Sequence, residues 1–509
     1  MPPSVDRRGS ARGVRVEVLA RRGGAAANRV PPALSAPSHR RVARATAGVA
    51  LGLLVLGPVR PATAQARTAA AAPGAQIWAA RYNGTANGAE MLFPGGTQSV
   101  ALSPNGARVF VTGGSSGRGS GVDYATVAYR AATGARLWVA RYTSPGRRAD
   151  SATAVAPSPD GARVFVTGWG EGATSGADFV TVAYSAATGA RLWVSRYNGP
   201  ANRNDGAIAI AVDPSGTRVF VTGTSEGATI GHEAYATAAY RASTGALLWV
   251  KRFSGPAAGD SNATALALSP DGATLFVTGR SAGRGSRTDY ATVAYRASTG
   301  AQRWVGRYSA PGRSDDEAGS LAVSPDGARV FVTGYSSTPD QSPQYATVAY
   351  RASTGARLWA RRLAGAGDRP AFARSVALSP DGARVYVTGT QGTVAYNAST
   401  GAQLWVRRDS GFVGGGSTPA PAVVVSRAGA QVFAAGTSHG SRSGEDFRVV
   451  AYRASTGAPL WAASFSGPGR RDDVVESAAV APDGRSVFVS GISIAAGSGP
   501  DFVTVAYRA

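Results

Sequence analysis

Residues 151–197 read SATAVAPSPDGARVFVTGWGEGATSGADFVTVAYSAATGARLWVSRY, and this stretch decides the fold. It holds four segments of alternating or β-branched residues, as half-buried strands prefer. The joints SPDG and ATGA are tight-turn sequences, in which Gly accepts a positive φ. The stretch therefore predicts four antiparallel strands and no helix. The predicted strands are Ser151 to Ala156, Arg163 to Thr167, Phe179 to Tyr184 and Leu192 to Tyr197.

The same unit recurs along the chain, and tryptophan marks its period. Eight of the nine tryptophans are separated by 60, 55, 56, 55, 55, 46 and 56 residues. Self-similarity at a fixed period is typical of repeat architectures. On a strand that buries alternate residues, we expect these indoles to wedge between neighbouring units. They are Trp78, Trp138, Trp193, Trp249, Trp304, Trp359, Trp405 and Trp461.

Eight second strands, VFVTG or a variant, predict eight units. The last unit stops within VTVAYRA, before its tryptophan strand, while residues 73–82 hold a tryptophan strand without a unit of its own. We therefore predict an all-β fold: an eight-bladed β-propeller of four-stranded antiparallel blades, closed by the N-terminal strand. Seven blades with one unit displaced is the alternative. The second strands begin near Val109, Val164, Val219, Leu275, Val330, Val385, Val432 and Val487.

The N-terminus has the pattern of a secretory signal. An apolar run at residues 45–59 follows three arginines and precedes PATAQA, which predicts a signal peptide over 1–66 cleaved near Ala64 or Ala66. An uncleaved anchor is the alternative, although the run is shorter than a membrane span needs. We expect residues 67–509 to form a single propeller domain that is secreted, extracellular or periplasmic.

Composition limits the chemistry of the chain. It has no cysteine, which excludes disulfides, thiolate metal sites and cysteine nucleophiles. Its formal net charge is +23, but residues 1–66 hold eleven arginines against two acidic residues, so the remainder carries +14. Arginines recur on the fourth strand and after the third-strand tyrosine. We interpret both sets as a solvated rim, with a surface for an anionic polymer such as acidic polysaccharide as the alternative.

The sequence variation falls on one predicted face. The tight turns are monotonous, whereas the loops after the second and fourth strands differ, so a ligand is expected on the loop face. The candidate ligand-binding residues there are Trp169, Glu171, His232, Glu233, Asp315 and Asp316. Surface or structural roles are the alternative for each. A recurring Asp at a strand entry can accept backbone N–H bonds, and calcium at Asp315 is the other reading of that cluster. No catalytic residue and no metal ligand can be assigned.

The segments VAYRASTGAxLWVxRY and AxALSPDGARVFVTG resemble the bacterial extracellular β-propeller repeat, together with the PQQ-like and YVTN-like repeats. The resemblance implies a propeller, but such repeats occur in enzymes and binding proteins alike. It also implies that a quinone-dependent dehydrogenase would have adjacent cysteines, calcium-binding carboxylates and a catalytic Asp. The cysteines are absent here and the other residues cannot be placed.

We therefore expect a secreted, non-enzymatic scaffold that binds an extracellular protein or polysaccharide through its loop face. A PQQ-dependent-type oxidoreductase and a lactonase-like hydrolase are the alternatives. We expect no cofactor, with calcium or PQQ as possibilities that no residue supports. We also expect no nucleic-acid partner, no membrane span in the mature chain and a monomer.

Overall fold

A computed structural model describes residues 72–509 except 85–89, 92–97, 118, 120, 147, 230, 258, 286, 312–314, 341, 368, 409–411, 413–421, 441–443, 470 and 495–498. The signal peptide predicted for residues 1–66 lies outside the described residues. Within them, no helix has the length and apolar character needed to cross a membrane.

The described strands form eight antiparallel sheets, and the expectation of an all-β, eight-bladed propeller is confirmed. The strands of blades 1 to 4 are Glu90–Met91 with Val100–Leu102, Arg108–Gly117, Gly121–Arg130 and Arg136–Tyr142; Asp150–Pro157, Arg163–Glu171, Ala177–Ser185 and Arg191–Tyr197; Asp205–Val212, Arg218–Ser225, Ala234–Arg241 and Leu247–Phe253; and Ser261–Leu268, Thr274–Ala282, Thr288–Arg296 and Gln302–Tyr308. Those of blades 5 to 8 are Asp316–Val323, Arg329–Ser337, Pro343–Arg351 and Arg357–Leu363; Ala373–Leu378, Arg384–Gly389, Gly392–Asn397 and Gln403–Arg407; Ala422–Val425, Gln431–His439, Glu445–Arg453 and Pro459–Phe465; and Asp473–Val480, Ser486–Ile494, Pro500–Arg508 and Gln76–Tyr82.

The last blade is completed by the N-terminal strand, as the sequence predicts. Gln76–Tyr82 pairs with Pro500–Arg508, placing Trp78 opposite Ala506. The N–H of Gly74 donates to the carbonyl of Arg508 at 2.8 Å, reproducing a bond of the tight turns in other blades. Pairing across this seam covers a sheet edge that would otherwise be exposed.

The repeated tryptophans lie between blades, which confirms the wedge prediction. The indole N–H of Trp138 donates to the carbonyl of Ala186 in the next blade at 3.1 Å, and seven of the eight tryptophans make the equivalent bond. The indole also covers Gly189, where an added Cβ would lie 2.7 Å from the ring and φ is +74°. Glycine in the ATGA turn is thus required both by the backbone and by the neighbouring indole.

The first strands are innermost, because those of consecutive blades contact one another around the ring. Ala, Leu, Val and Ser side chains of these strands line a central cavity of roughly 190 Å³. The turns that join first to second and third to fourth strands emerge at one end, named here the tight-turn face. The other connections form the loop face.

The hairpins at the loop face are longer than predicted. In blade 2 the pairing continues past Thr167 to Glu171 opposite Ala177, so most of the predicted loop is strand. Blade 6 is the exception, since its second strand ends at Gly389 and its third strand begins at Gly392. That shortened hairpin explains the 46-residue interval between tryptophans.

Four of the fourth-strand arginines are held in ion pairs, and for them the interpretation as a solvated rim was wrong. Arg196 pairs with Asp178 of the third strand at 2.7 Å, and their side chains are 24% and 6% exposed. The same latch joins Arg81 to Asp501, Arg141 to Asp123, and Arg307 to Asp289. The third-strand Asp lies just before the start of the strand predicted from the sequence. Its pairing with the fourth-strand Arg was therefore not predicted.

The recurring Asp at the strand entry has the predicted structural role. Asp150 is fully buried and accepts the backbone N–H of Ser144 at 2.6 Å. Asp316 likewise accepts the N–H of Ala310 at 2.9 Å. Asp260 differs, because it accepts the N–H of Glu233 from the preceding blade at 3.2 Å.

Candidate functional site

Two positions differ in identity from blade to blade among the described first and second strands, whereas the pair beside them is more constant. They face each other at the loop end of the first and second strands, as Asn262 faces Arg280 and Glu317 faces Tyr335. The next pair inward is Ala–Gly in five blades. Since the first strands are innermost, the variable pairs lie around the mouth of the central channel. The second-strand members are Gly114, Trp169, Thr224, Arg280, Tyr335, Thr390, Thr437 and Ile492.

Between blades 3 and 4 the variable residues form a hydrogen-bonded chain. Asn262 donates through its amide to the hydroxyl of Thr224 at 3.2 Å and to the carboxylate of Glu233. Its amide oxygen accepts from Nε of Arg280 at 2.8 Å. Asn262 is therefore held in one orientation by both neighbours.

The chain continues into blade 5 through opposite charges. Arg280 lies 3.6 Å from the Glu317 carboxylate, and the two side chains are 39% and 26% exposed. The hydroxyl of Tyr335 donates to the same carboxylate at 3.4 Å. Burial, and then the charge of Glu317, raises the pKa of Tyr335 to about 12, so the phenol keeps its proton at neutral pH.

Aromatic contacts carry the network into blade 6. The rings of Tyr335 and Phe372 meet edge to face with centroids 5.1 Å apart. The guanidinium of Arg374 lies 5.4 Å from the Phe372 ring centre. Burial lowers the pKa of Arg374, while the charge of Glu317 opposes that shift. We name the seven residues of this network the channel-mouth arc: Glu233, Asn262, Arg280, Glu317, Tyr335, Phe372 and Arg374.

The predicted site residues lie on three blades. Trp169 and Glu171 are half-buried on the second strand of blade 2, where the N–H of Glu171 donates to Asp150 at 3.0 Å. Trp169 occupies the same variable position as Arg280 and Tyr335 in their blades. Ligand binding by this pair stays a prediction.

Only one of the other four predicted residues belongs to the arc. His232 is exposed, whereas the adjacent Glu233 is half-buried and bonded to Asn262. Asp315 pairs with the exposed Arg287 at 3.5 Å. Burial raises the pKa of Asp316, whose carboxylate accepts the backbone N–H of Ala310 at the entry to its own strand. Their ligand-binding roles also stay predictions.

Sequence reasoning missed six members of the arc. Trp169 was noticed because it replaces a small residue after VTG, and the same comparison finds Arg280 and Tyr335. Asn262, Glu317 and Phe372 were not predicted as site residues. Each lies at or just before the start of a first strand, where the recurring Asp indicated a structural role for the strand entry. Arg374 occupies a bulge that only the register reveals.

A buried carboxyl lies in the first-strand bulge of blade 8, at the position that Arg374 has in blade 6. Glu476 is 3% exposed, and neither carboxyl oxygen has a hydrogen-bond partner in the described structure. Burial raises its pKa to about 8. A carboxyl in this setting is protonated near neutrality.

The described central cavity does not fit the quinone that some related repeats bind. Its lining is Ala, Val, Leu, Ser and Gln98, which offer no cation for the carboxylates of such a group. Across the described ranges, no three His, Cys, Asp or Glu side chains are grouped to hold a metal ion. We therefore derive no reaction step through a quinone.

Comparison with known proteins identifies the repeat. The family model described as outer membrane protein assembly factor BamB matches residues 62–234, 177–443 and 293–506. No curated protein matches the sequence at a significant level.

Three solved propellers illustrate the structural likeness. The first is Sqt1 of Chaetomium thermophilum, solved bound to the N-terminus of a ribosomal protein, at 16% identity, TM-score 0.54, and coverage of 83% of this chain and 99% of that one. The second is quinohemoprotein alcohol dehydrogenase from Comamonas testosteroni, at 13% identity and a TM-score of 0.52, with coverage of 85% of this chain and 76% of that one. The third is BamB from Moraxella catarrhalis, at 16% identity and a TM-score of 0.48, with coverage of 85% of this chain and 99% of that one. At such identities the likeness concerns the fold alone.

Proposed function

This chain belongs to the family of PQQ-like β-propeller repeat proteins described as outer membrane protein assembly factor BamB, and we propose that it is an exported, non-enzymatic binding scaffold. Its ligand is an extracellular protein or carbohydrate, held at the channel-mouth arc. The scaffold acts as a monomer and uses neither a cofactor nor calcium.

One observation carries this proposal: the side chains around the channel mouth differ from blade to blade, whereas the Ala–Gly pair beside them on the same strands recurs in five blades. Residues that serve the repeat recur in it, as the tryptophans and the Ala–Gly pairs do. The arc instead joins different polar and aromatic groups into one partly exposed network. Concave sites of this composition, with a few fixed polar groups beside aromatic rings, are typical of ligand recognition.

The chemistry of the arc suits a ligand that is both polar and flat. Arg280 and Glu317 offer a donor and an acceptor with opposite charges, while Phe372 offers an aromatic ring. A loop of a protein partner or a pyranose ring satisfies both requirements. The structural neighbour solved with a bound peptide terminus supports the use of such a fold for protein recognition.

Export is supported by the sequence of residues 1–66, whose basic, apolar and small-residue regions follow in the order of a signal peptide. N-terminal sequencing of protein recovered outside the cytoplasm should begin near Gln65 or Arg67. Recovery only from the cytoplasm with residues 1–66 intact would contradict export.

The binding site is tested with a glycan array and a displayed peptide library probed with the purified protein. We expect at least one class to give ligands whose binding is lost in the double variant Arg280→Gln/Glu317→Gln. Ile492→Thr changes the equivalent position of blade 8, outside the arc, and should leave binding intact. Circular dichroism verifies that both variants fold. Ligands that bind the double variant and the parent equally would place the site elsewhere.

A further inference from the structure

The tight-turn face carries most of the positive charge of the propeller. Its turns and the strand residues that flank them hold seventeen arginines and six aspartates, a net side-chain charge of +11. Residues 67–509 together carry +14, so all remaining parts contribute only +3. A field of one sign over one face favours an anionic partner.

Six of these arginines share one exposed position and have no ion-pair partner. Each stands at the end of a third strand, directly after the buried tyrosine, and is exposed. None forms an ion pair in the described part of the chain, in contrast to the latched arginines of the fourth strands. They are Arg130, Arg241, Arg296, Arg351, Arg453 and Arg508.

Three of them also lie directly opposite a second arginine. Arg130 faces Arg108 across the ladder, and the Arg241 and Arg351 positions repeat this pairing with Arg218 and Arg329. Like charges directly opposite each other in a sheet destabilise it. Arg218 and Arg329 are paired with Asp213 and Asp326 of their own turns, whereas the third-strand arginines opposite them have no ion pair. The third-strand charge is therefore the one left to serve an external contact.

The aspartates of the same face are engaged in their own turns. Asp160 accepts the hydroxyl of Ser158 and, at 2.9 Å, the N–H of Ala162. These bonds lower the pKa of Asp160, and Asp271, Asp326 and Asp381 are held in the same way. Their geometry is fixed by the turns, so they do not cover the third-strand arginines.

Exposed aliphatic side chains accompany the charge. In every blade the residue before the repeated tryptophan is an extra residue in a β-bulge, and in seven blades it is Leu or Ile, 37% to 50% exposed. Ile77 shares a groove with Asn105 and Asp483 of two tight turns, which places this residue type beside the arginines. The seven are Ile77, Leu137, Leu192, Leu248, Leu358, Leu404 and Leu460.

We propose that the tight-turn face docks on an anionic lipid surface. Exposed arginines at the ends of the third strands of six of the eight blades distribute the charge around a ring, where each can reach a separate headgroup. An anionic polymer would instead be followed by a continuous basic groove, often with stacking aromatic rings, and the repeated tryptophans are occupied between blades. The aliphatic bulge residues can enter the headgroup boundary while the arginines bind the phosphates.

The proposal is tested by co-sedimentation of the purified protein with phosphatidylcholine vesicles that contain or lack phosphatidylglycerol. We expect binding only to the anionic vesicles, weakening with added salt. The variant Arg241→Gln/Arg296→Gln/Arg351→Gln should bind on the order of 100-fold more weakly. The control Arg148→Gln/Arg284→Gln/Arg369→Gln removes the same charge from exposed loop-face positions and should change binding by less than about 3-fold.

A second pair of measurements separates a lipid surface from an acidic polymer. Leu192→Ser/Leu358→Ser should weaken binding to anionic vesicles and leave any binding to soluble polygalacturonate unchanged. Binding to polygalacturonate without binding to the vesicles would overturn the lipid proposal, as would equal weakening by the two arginine triple variants. Arg280→Gln/Glu317→Gln should leave vesicle binding intact, so the two faces can be tested independently.

Discussion

Replacing Glu476 with glutamine should change how the stability of the propeller depends on pH. Burial raises the pKa of this carboxyl to about 8, against about 4.3 to 4.5 in the unfolded chain. Because the folded state holds the proton more tightly, its contribution to stability is fully present below about pH 4.5 and is lost as pH rises towards 8. A difference of about 3.5 units corresponds to roughly 5 kcal/mol, taken as an upper value.

The assay is urea unfolding followed by far-UV circular dichroism at about pH 5, 7 and 9, since the difference accumulates between the two pKa values. Glutamine has the same shape and never ionises, so Glu476→Gln should lack this decline and exceed the parent by several kcal/mol at the highest pH. Asp160→Asn is a suitable control, because the pKa of Asp160 is lowered and its effect belongs to acidic pH. Parallel stability profiles of parent and Glu476→Gln between pH 5 and 9 would refute the reasoning.

Three further experiments test the packing between and within blades. Trp304→Ala should lower the free energy of unfolding by about 3–5 kcal/mol, measured in urea, because the indole packs between blades and donates to the carbonyl of Ala352 at 2.8 Å. Gly355→Ala should cost roughly 1–3 kcal/mol in the same assay, since φ is +74° and the new Cβ would lie 2.6 Å from the Trp304 ring; an unchanged midpoint would contradict that packing. A double-mutant cycle of Arg196→Ala and Asp178→Ala should give a coupling energy of about 1–3 kcal/mol, and additive effects would deny the latch.

The sequence predicts the fold well because the residues that each blade requires recur in eight units. The alternation of strand residues, the turn glycines and the spacing of the tryptophans all agree, and the structure confirms blade number and closure. The site was harder to predict. Arg280 and Glu317 are far apart in sequence and on different blades, so only the ring geometry brings them within 3.6 Å. Ligand binding by Trp169 remains a prediction, because its position on the second strand does not by itself identify a ligand.

Repetition of a residue is weaker evidence for a structural role than it first appears. The tryptophans and the third-strand arginines both recur, and from the sequence alone either set could serve the fold. The structure distinguishes them by their partners: the indole of Trp138 has a carbonyl, a glycine and a ring against it, while Arg241 has exposure and an opposing arginine. A side chain that recurs in an exposed position without an ion-pair partner is a candidate for contact with something outside the chain. By that criterion the uniform face of this propeller is as strong a candidate for binding as the variable one.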